Sequence, residues 1–333
     1  MNPDWKPTAD IGALRLRAAL YASIREFFSS RNVLEVETPI LSAAGNTDPN
    51  IASFSLDADG GSGRSRRWLR TSPEFALKRM LAAGIGDCYE LGRVFRHGEA
   101  GRNHNPEFSM LEWYRVGWDH RRLMREVAEL VTAALALVGR EPRVRECSYR
   151  DLYRDMLGLD VFAADGADAA DAADRVDDAT LRAALGDIEI DPSGLTRDDW
   201  LDLLMTHRIQ PRLSTNELLL VYDYPASQCA LARIRRDSNV AERFEAYLGP
   251  LELANGYHEL TDSGEQRARF QHDLRVRVGR GDPVPPIDER LLAALESGLP
   301  ECAGVALGVD RLLDAMSGGE GIAGVIAFPF DRA

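Results

Sequence analysis

The chain has 333 residues, of which 45% are hydrophobic and 28% charged, and a formal net charge of −13 at pH 7. That length buries a substantial core as one large domain or two smaller ones, and the composition is that of an ordinary soluble globular protein. The charge weighs against a large nucleic-acid face, because any such face would be a local basic patch set against a repelling field. The longest uncharged apolar stretch, residues 130–138, is too short to cross a bilayer. The start, MNPDWKPTAD, carries acids and a proline where a secretory signal needs a basic end and an apolar run, so a cytoplasmic location is expected. Cys88, Cys147, Cys229 and Cys302 form no CxxC pair and read as buried free thiols.

Leu14, Ala18, Tyr21, Ile24 and Phe28 recur at helical spacing and stop at Ser29-Ser30-Arg31-Asn32, which predicts an amphipathic opening helix. Residues 33–39 (VLEVETP) alternate like a strand that Pro39 terminates. Strands are also predicted over 67–71, 88–95 and 108–116, and a helix over 73–83 with Pro73 in its first turn. The Ala- and Asp-rich stretch 161–180 reads as a solvated insertion of helix and loop. Helices are expected over 200–207, 240–248 and 287–297, and buried strands over 218–224 and 304–307. Strands and helices come in blocks without a regular βαβ beat and without an internal repeat. The expectation is an α+β fold with a mainly antiparallel sheet flanked by helices.

Three segments carry chemistry. Arg96 follows an apolar strand and precedes a hairpin-like loop with Gly98 and Gly101, where a guanidinium can fork two phosphate oxygens; a surface hairpin with a salt-bridged arginine is the alternative. On the returning strand Phe108 is either a core aromatic or a platform for a purine. His104 is a general base, a phosphate donor or a structural histidine. In PLELANGYHELTD, Glu252 and Glu259 flank Asn255-Gly256, a turn that would aim both acids at one centre and suit a divalent cation; two solvated acids are the alternative. In GVALGVDRLL, small residues let a ligand approach the backbone, and Arg311 at a helix start calls for an anion to compensate it. Glycines kept for packing alone are the other reading of that segment.

With these residues in view, VLEVETPIL resembles motif 1, FRHGEAGRNHNPEFSMLEWY motif 2 and GVALGVDR motif 3 of the class II aminoacyl-tRNA synthetases, specifically the lysyl branch. TSPEFALKRML, YPASQCALA and ELANGYHELTD extend the resemblance from about Leu14 to Ala333. Within that branch the chain is most similar to the truncated paralogues that attach β-lysine to elongation factor P. The first catalytic helix begins almost at the N-terminus, leaving no room for an anticodon-binding module before it, so residues 1–333 are expected to form one class II catalytic domain. Ala306 stands where the tRNA-charging enzymes have glycine, and one methyl in a pocket is worth roughly 1–3 kcal/mol. The resemblance gives that methyl the role of favouring β-lysine over α-lysine.

The resemblance further implies ATP and Mg²⁺ as cofactors. Arg96 would bind the α-phosphate, Arg311 the γ-phosphate, Phe108 would stack on adenine, Asn105 would contact the nucleotide and Gly308 would leave it space. His97, Gly98, Glu99, His104 and Leu253 complete the implied ATP-binding set. Glu252 would take Mg²⁺ with Glu259, while Glu259, Tyr114, Ala306 and the Ser72-Pro73-Glu74 turn would line the lysine site. The family's Arg-x-Glu of motif 2 is here Arg96-His97-Gly98-Glu99, so the acid is displaced by one position. The implied partners are elongation factor P as acceptor, β-lysine or lysine as substrate and a second copy of the chain in a homodimer, with neither membrane nor tRNA among them.

Overall fold

The computed structural model describes residues 5–60, 63–162, 176–236 and 238–333. Most of the 161–180 insertion therefore lies outside the described residues. Helix α1 (Ile11–Ser29) is N-capped by Asp10, whose side chain accepts from the Ala13 N–H. It leads through the short strands β1 (Leu34–Glu35) and β2 (Leu41–Ser42) to the hairpin β3 (Ser55–Gly60) and β4 (Gly63–Leu69). Helix α2 (Glu74–Ala82) precedes the long hairpin β5 (Cys88–Phe95) and β6 (Glu107–Val116), then α3 (His120–Ala136). β7 (Arg143–Ser148), α4 (Tyr149–Leu157), α5 (Asp178–Leu185) and α6 (Arg197–Leu204) follow. β8 (Glu217–Pro225), β9 (Val240–Leu248), β10 (Leu251–His258), α7 (Ser263–Arg280), α8 (Glu289–Gly298), β11 (Cys302–Gly308) and α9 (Val309–Ser317) complete the order.

Eight strands form one sheet in the order β1-β5-β6-β11-β10-β9-β8-β7, and β2-β4-β3 form a small second one. Only the two edge pairings of the large sheet, β1 with β5 and β7 with β8, are parallel; the others are antiparallel. Helices α1, α3 and α9 bury their apolar faces on one side of the sheet, around Phe28, Trp113, Val127, Phe244, Val305 and Leu312. A second cluster joins α4, α5 and α6 to β8 and β9, and a third packs α2 against α7 and α8 around Leu77, Phe270 and Leu292. This is the α+β architecture expected, with a mixed but mainly antiparallel sheet.

Three local expectations are corrected. The strand over 33–39 contracts to Leu34–Glu35, with one further ladder bond from the Val36 N–H to the Tyr89 carbonyl, because Pro39 cannot donate to a ladder. Residues 240–248 form strand β9, not a helix. Their Ala, Glu, Arg and Leu favour helix locally, but Phe244, Ala246 and Leu248 enter the core beneath α3 while Arg243, Glu245 and Tyr247 face a groove on the other side. That period of two is enforced by pairing on both edges and by the two-residue Gly249-Pro250 connection to β10.

The third correction concerns Asn255-Gly256, which lies inside an unbroken β10 and is no turn. Gly256 serves close packing instead: an added Cβ would meet the Phe244 ring at 2.5 Å and Val305 Cβ at 2.9 Å. Gly256→Ala should therefore destabilise the fold by about 1–3 kcal/mol. A urea midpoint equal to that of the unsubstituted protein would contradict this packing.

Candidate active site

Strands β6, β11 and β10, with the first turn of α2, the loop that follows β5 and the start of α9, enclose a cavity of ≈ 200 Å³. It opens into a groove of ≈ 1260 Å³ with which it shares Ser72, Glu74, Glu252 and Tyr257. Of the residues implied for nucleotide, Arg96, Glu99, His104, Asn105, Phe108, Glu252, Leu253, Gly308 and Arg311 line the cavity; so do Ser72, Glu74, Tyr114, Glu259 and Ala306 of those implied for the amino acid. His97 and Gly98 are exposed outside this lining, His97 packing edge-on against Phe54, and Pro73 lines the groove alone. Chain reversal explains their position, since Gly98 takes φ 82° where the loop turns away from the sheet.

The two arginines meet at one end of this cavity. Arg96 leaves β5 with its guanidinium 5.1 Å from the Phe108 ring centroid and 3.5 Å from Glu99. Phe108 is half-buried beside it and belongs to none of the core clusters. Arg311, in the first turn of α9, donates to the Glu252 carbonyl at 2.9 Å and has its guanidinium 3.7 Å from the Glu252 carboxylate. It also lies 2.7 Å from His104 Nε2. Burial and the Arg311 charge hold His104 below the usual imidazole range, so Nε2 accepts from the guanidinium and the histidine orients Arg311. Asn105 is tied at both ends, accepting from the Phe330 N–H at 2.9 Å and donating to the Glu107 carbonyl at 2.6 Å.

A bulge sets the acids. Glu252 pairs with Tyr247 and Ala254 with the adjacent Ala246, so Leu253 is an extra residue in β10. Seven positions along a regular strand would put Glu252 and Glu259 on opposite faces. The extra residue reverses that parity, and Glu252, Asn255, Tyr257 and Glu259 all line the cavity. The two carboxylates nevertheless have different company. Glu259 lies 2.6 Å from Lys78 Nζ, whereas burial and the like charge of Glu245 raise Glu252.

Lys78, Glu112 and Glu245 were not singled out in the sequence. Lys78 is one turn beyond Glu74 in α2, 1% exposed, and bridges Glu74 and Glu259 at 2.6 Å each. Glu112 sits two residues before Tyr114 on β6, and strand alternation alone would have placed both on one face. It accepts from the Ser72 hydroxyl at 2.6 Å and the Tyr114 hydroxyl at 2.9 Å, and no cation contacts it among the described residues. Lys78 is the one cation that contacts Glu259 among the described residues. Glu74, Glu112 and Glu259 thus oppose the single ammonium of Lys78, and the buried floor awaits positive charge.

The charge has consequences for titration. Burial, then the nearby Glu74 charge, pushes Glu112 up to about 8; burial pushes Glu259 up to about 7 against the pull of Lys78. A carboxyl raised on folding binds more protons in the folded than in the unfolded chain, so its contribution to stability is lost as pH rises from about 4.5 through about 8. Glu112→Gln should flatten that part of the stability profile measured by urea unfolding. An unchanged slope in the variant would assign the titration elsewhere.

Comparison with known proteins follows the same lines. The family described as tRNA synthetases class II (D, K and N) matches residues 9–332. The chain is 46% identical over 333 residues to a Proteus mirabilis (strain HI4320) protein named elongation factor P--(R)-beta-lysine ligase, covering 99% of this chain and 98% of the relative. A Vibrio cholerae protein of the same name is 46% identical over 335 residues, covering 100% and 99%. A Klebsiella pneumoniae relative, also so named, is 46% identical over 332 residues, covering 99% and 98%. The chain belongs to the class II tRNA synthetase family of the D, K and N type.

Proposed function

We propose that this chain is an ATP-dependent ligase that activates (R)-β-lysine as an acyl-adenylate and transfers it to a lysine side chain of elongation factor P. The observation that carries the reading is the polarity of the cavity: arginines at one end, and at the other buried carboxylates in excess of their cationic partners. A diamino acid with an activated carboxyl group has the matching distribution of charge.

In the first step a carboxylate oxygen of β-lysine attacks the α-phosphorus of ATP, the bond to the bridging oxygen breaks, and pyrophosphate leaves. The substrate supplies the nucleophile. The protein contributes positioning and fixed charge, with no requirement for a serine, cysteine or histidine nucleophile. Arg96 would stabilise the charge building at the α-phosphate with Phe108 against the adenine, and Arg311, held by His104, would meet the γ-phosphate. Gly308 leaves that side open, since the nearest atoms a Cβ there would meet are those of Arg311, at 3.6–3.8 Å. In the second step the neutral amine of the acceptor attacks the acyl carbon, AMP departs, and the nitrogen releases a proton to give the amide.

Synthetases of this class use ATP, generally with Mg²⁺. Glu252 fits a divalent cation because it lines the cavity beside Arg96 and Arg311 and because burial and the like charge of Glu245 oppose its ionisation until a cation is near; such an ion would supply charge neutralisation to the phosphates when bound. Glu245 is itself held by Arg243 and by the Tyr224 and Tyr247 hydroxyls, so Glu252 is the carboxylate we assign to metal. Glu259, engaged by Lys78, serves the substrate ammonium with Glu112, Tyr114 and the Ser72-Glu74 turn.

Ala306 occupies the register position between Glu112 of β6 and Asn255 of β10, so its methyl stands on the cavity wall between the acidic floor and the phosphate end. We assign it the preference for the β-isomer. We treat the described residues as one catalytic unit built on the large sheet, and a cytoplasmic location accords with a translation-factor acceptor. No described helix is long and apolar enough to cross a membrane. Leu34, Ile40 and Leu41 are exposed apolar residues in the motif 1 segment, and we propose that a second copy covers them in a homodimer.

Mass spectrometry of elongation factor P after incubation with ATP and each lysine isomer should show one β-lysyl adduct. Robust charging of tRNA with no adduct on the factor would replace this reading with that of a tRNA synthetase. Arg311→Ala should abolish lysine-dependent ATP–pyrophosphate exchange in a folded protein, and normal exchange would remove its phosphate role. Ala306→Gly should move isomer preference toward α-lysine by about 10–200-fold, the effect of one methylene in a pocket. Unchanged selectivity would dismiss the methyl as the discriminator.

A further inference from the structure

Behind the strand that leads to Glu259, a second set of titratable side chains takes no part in this chemistry. Alternation along β10 puts His258 on the face opposite Tyr257. There, one ring nitrogen of His258, one of His120 at the start of α3, and a carboxylate oxygen of Glu242 in β9 lie within 4.8 Å of one another. Each imidazole is backed by its own carboxylate: His120 Nε2 is 3.2 Å from Asp223, and His258 Nε2 is 3.0 Å from Glu301. Metal-binding histidines are oriented in this way, with one N–H given to a carboxylate and the other nitrogen left to coordinate.

Two further observations point to a ligand. His120 is 3% exposed, and its Nδ1 has no hydrogen-bond partner among the described residues, so a buried nitrogen lone pair is left unmet. The charges are also unbalanced. Arg235 forks Asp223 at 2.8 and 3.1 Å, and Arg233 forks Glu301 at 2.8 and 3.0 Å, so each backing carboxylate has its own guanidinium. Both arginines reach Glu242 only at 3.4 Å. These three carboxylates against two guanidinium groups leave Glu242 without a guanidinium of its own, and it faces His258 Nδ1 at 2.7 Å.

We propose that His120, His258 and Glu242 bind one divalent transition-metal ion. Two imidazole nitrogens and one carboxylate oxygen suit zinc best, with a fourth position left for water. The ion would tie α3, β9 and β10 together on the side of the sheet away from the cavity, a structural role independent of the ligase reading.

The test uses the full chain, freed of metal by chelator dialysis and titrated with Zn²⁺ by calorimetry, with thermal unfolding followed in parallel. One equivalent should bind and raise Tm, since a ligand of the folded state alone stabilises it. The His120→Gln, His258→Gln double variant should lose both effects while retaining ATP–pyrophosphate exchange, and Glu301→Gln should weaken binding by about 10–100-fold. Should the double variant fail to fold, Co²⁺ added to the unsubstituted protein should give visible absorption bands of a four-coordinate site that Zn²⁺ displaces. Failure of the unsubstituted chain to bind zinc at micromolar concentrations, or the same stoichiometry in a folded double variant, would overturn the proposal. So would nuclear magnetic resonance showing protons on both ring nitrogens of His258 with zinc in excess.

Discussion

Lys78 is a single buried ammonium among three carboxylates, and much of the surrounding architecture keeps that imbalance in place. Glu74 and Glu259 grip it from a helix and from the end of a strand, while Glu112 is left with hydroxyl donors only. Removing charge from water costs several kcal/mol per ion in a real protein, so the floor by itself holds protons on Glu112 and Glu259, and a bound cation would favour their ionised forms. Gly304 shows how little room is spare. A Cβ there would lie 2.2 Å from the Tyr114 ring and 2.4 Å from Glu259, so the floor is shaped by backbone as well as by charge.

The opposite end of the cavity has the opposite electrostatics, and the separation follows from the sheet. β6 and β10 flank β11, so each of these strands runs between the phosphate end of the cavity and its acidic floor. Along β6, Phe108 stands near the arginines and Glu112 and Tyr114 lie deeper; along β10, Glu252 lies beneath Arg311 and Glu259 reaches Lys78. On the proposed function, a ligand oppositely charged at its two ends would be oriented before any chemistry occurs. A site of this kind accelerates adenylate formation through preorganised charge, with its groups fixed by packing and hydrogen bonds made in advance.

Much of this was legible in the sequence where local pattern and tertiary demand agree. The β5–β6 hairpin was placed by its apolar runs, and α2 by Pro73 at its start. Arg96, Phe108 and Arg311 stood out from their segments. Legibility failed where the long-range arrangement overrides local preference. The residues of β9 favour helix but are paired on both edges, and the Gly-Pro hairpin turn after them was the available signal. Asn255-Gly256 looked like a turn because the pair is common in turns, whereas Gly256 is required by Phe244 pressing against it. The bulge at Leu253 has no composition signature, yet it decides that Glu252 and Glu259 share a face. Lys78 and Glu245 were hidden for another reason: buried charges resemble surface charges until their partners, far away in sequence, are known.

The proposed function requires a polarised cavity that holds phosphate at its arginine end and ammonium at its acidic floor. A crystal structure with a non-hydrolysable β-lysyl-adenylate analogue tests it directly. The phosphate should lie between Arg96 and Arg311, the adenine against Phe108, and an ammonium within hydrogen-bond distance of Glu112 or Glu259. An analogue bound in the outer groove alone, or with its ammonium turned away from both carboxylates, would contradict it.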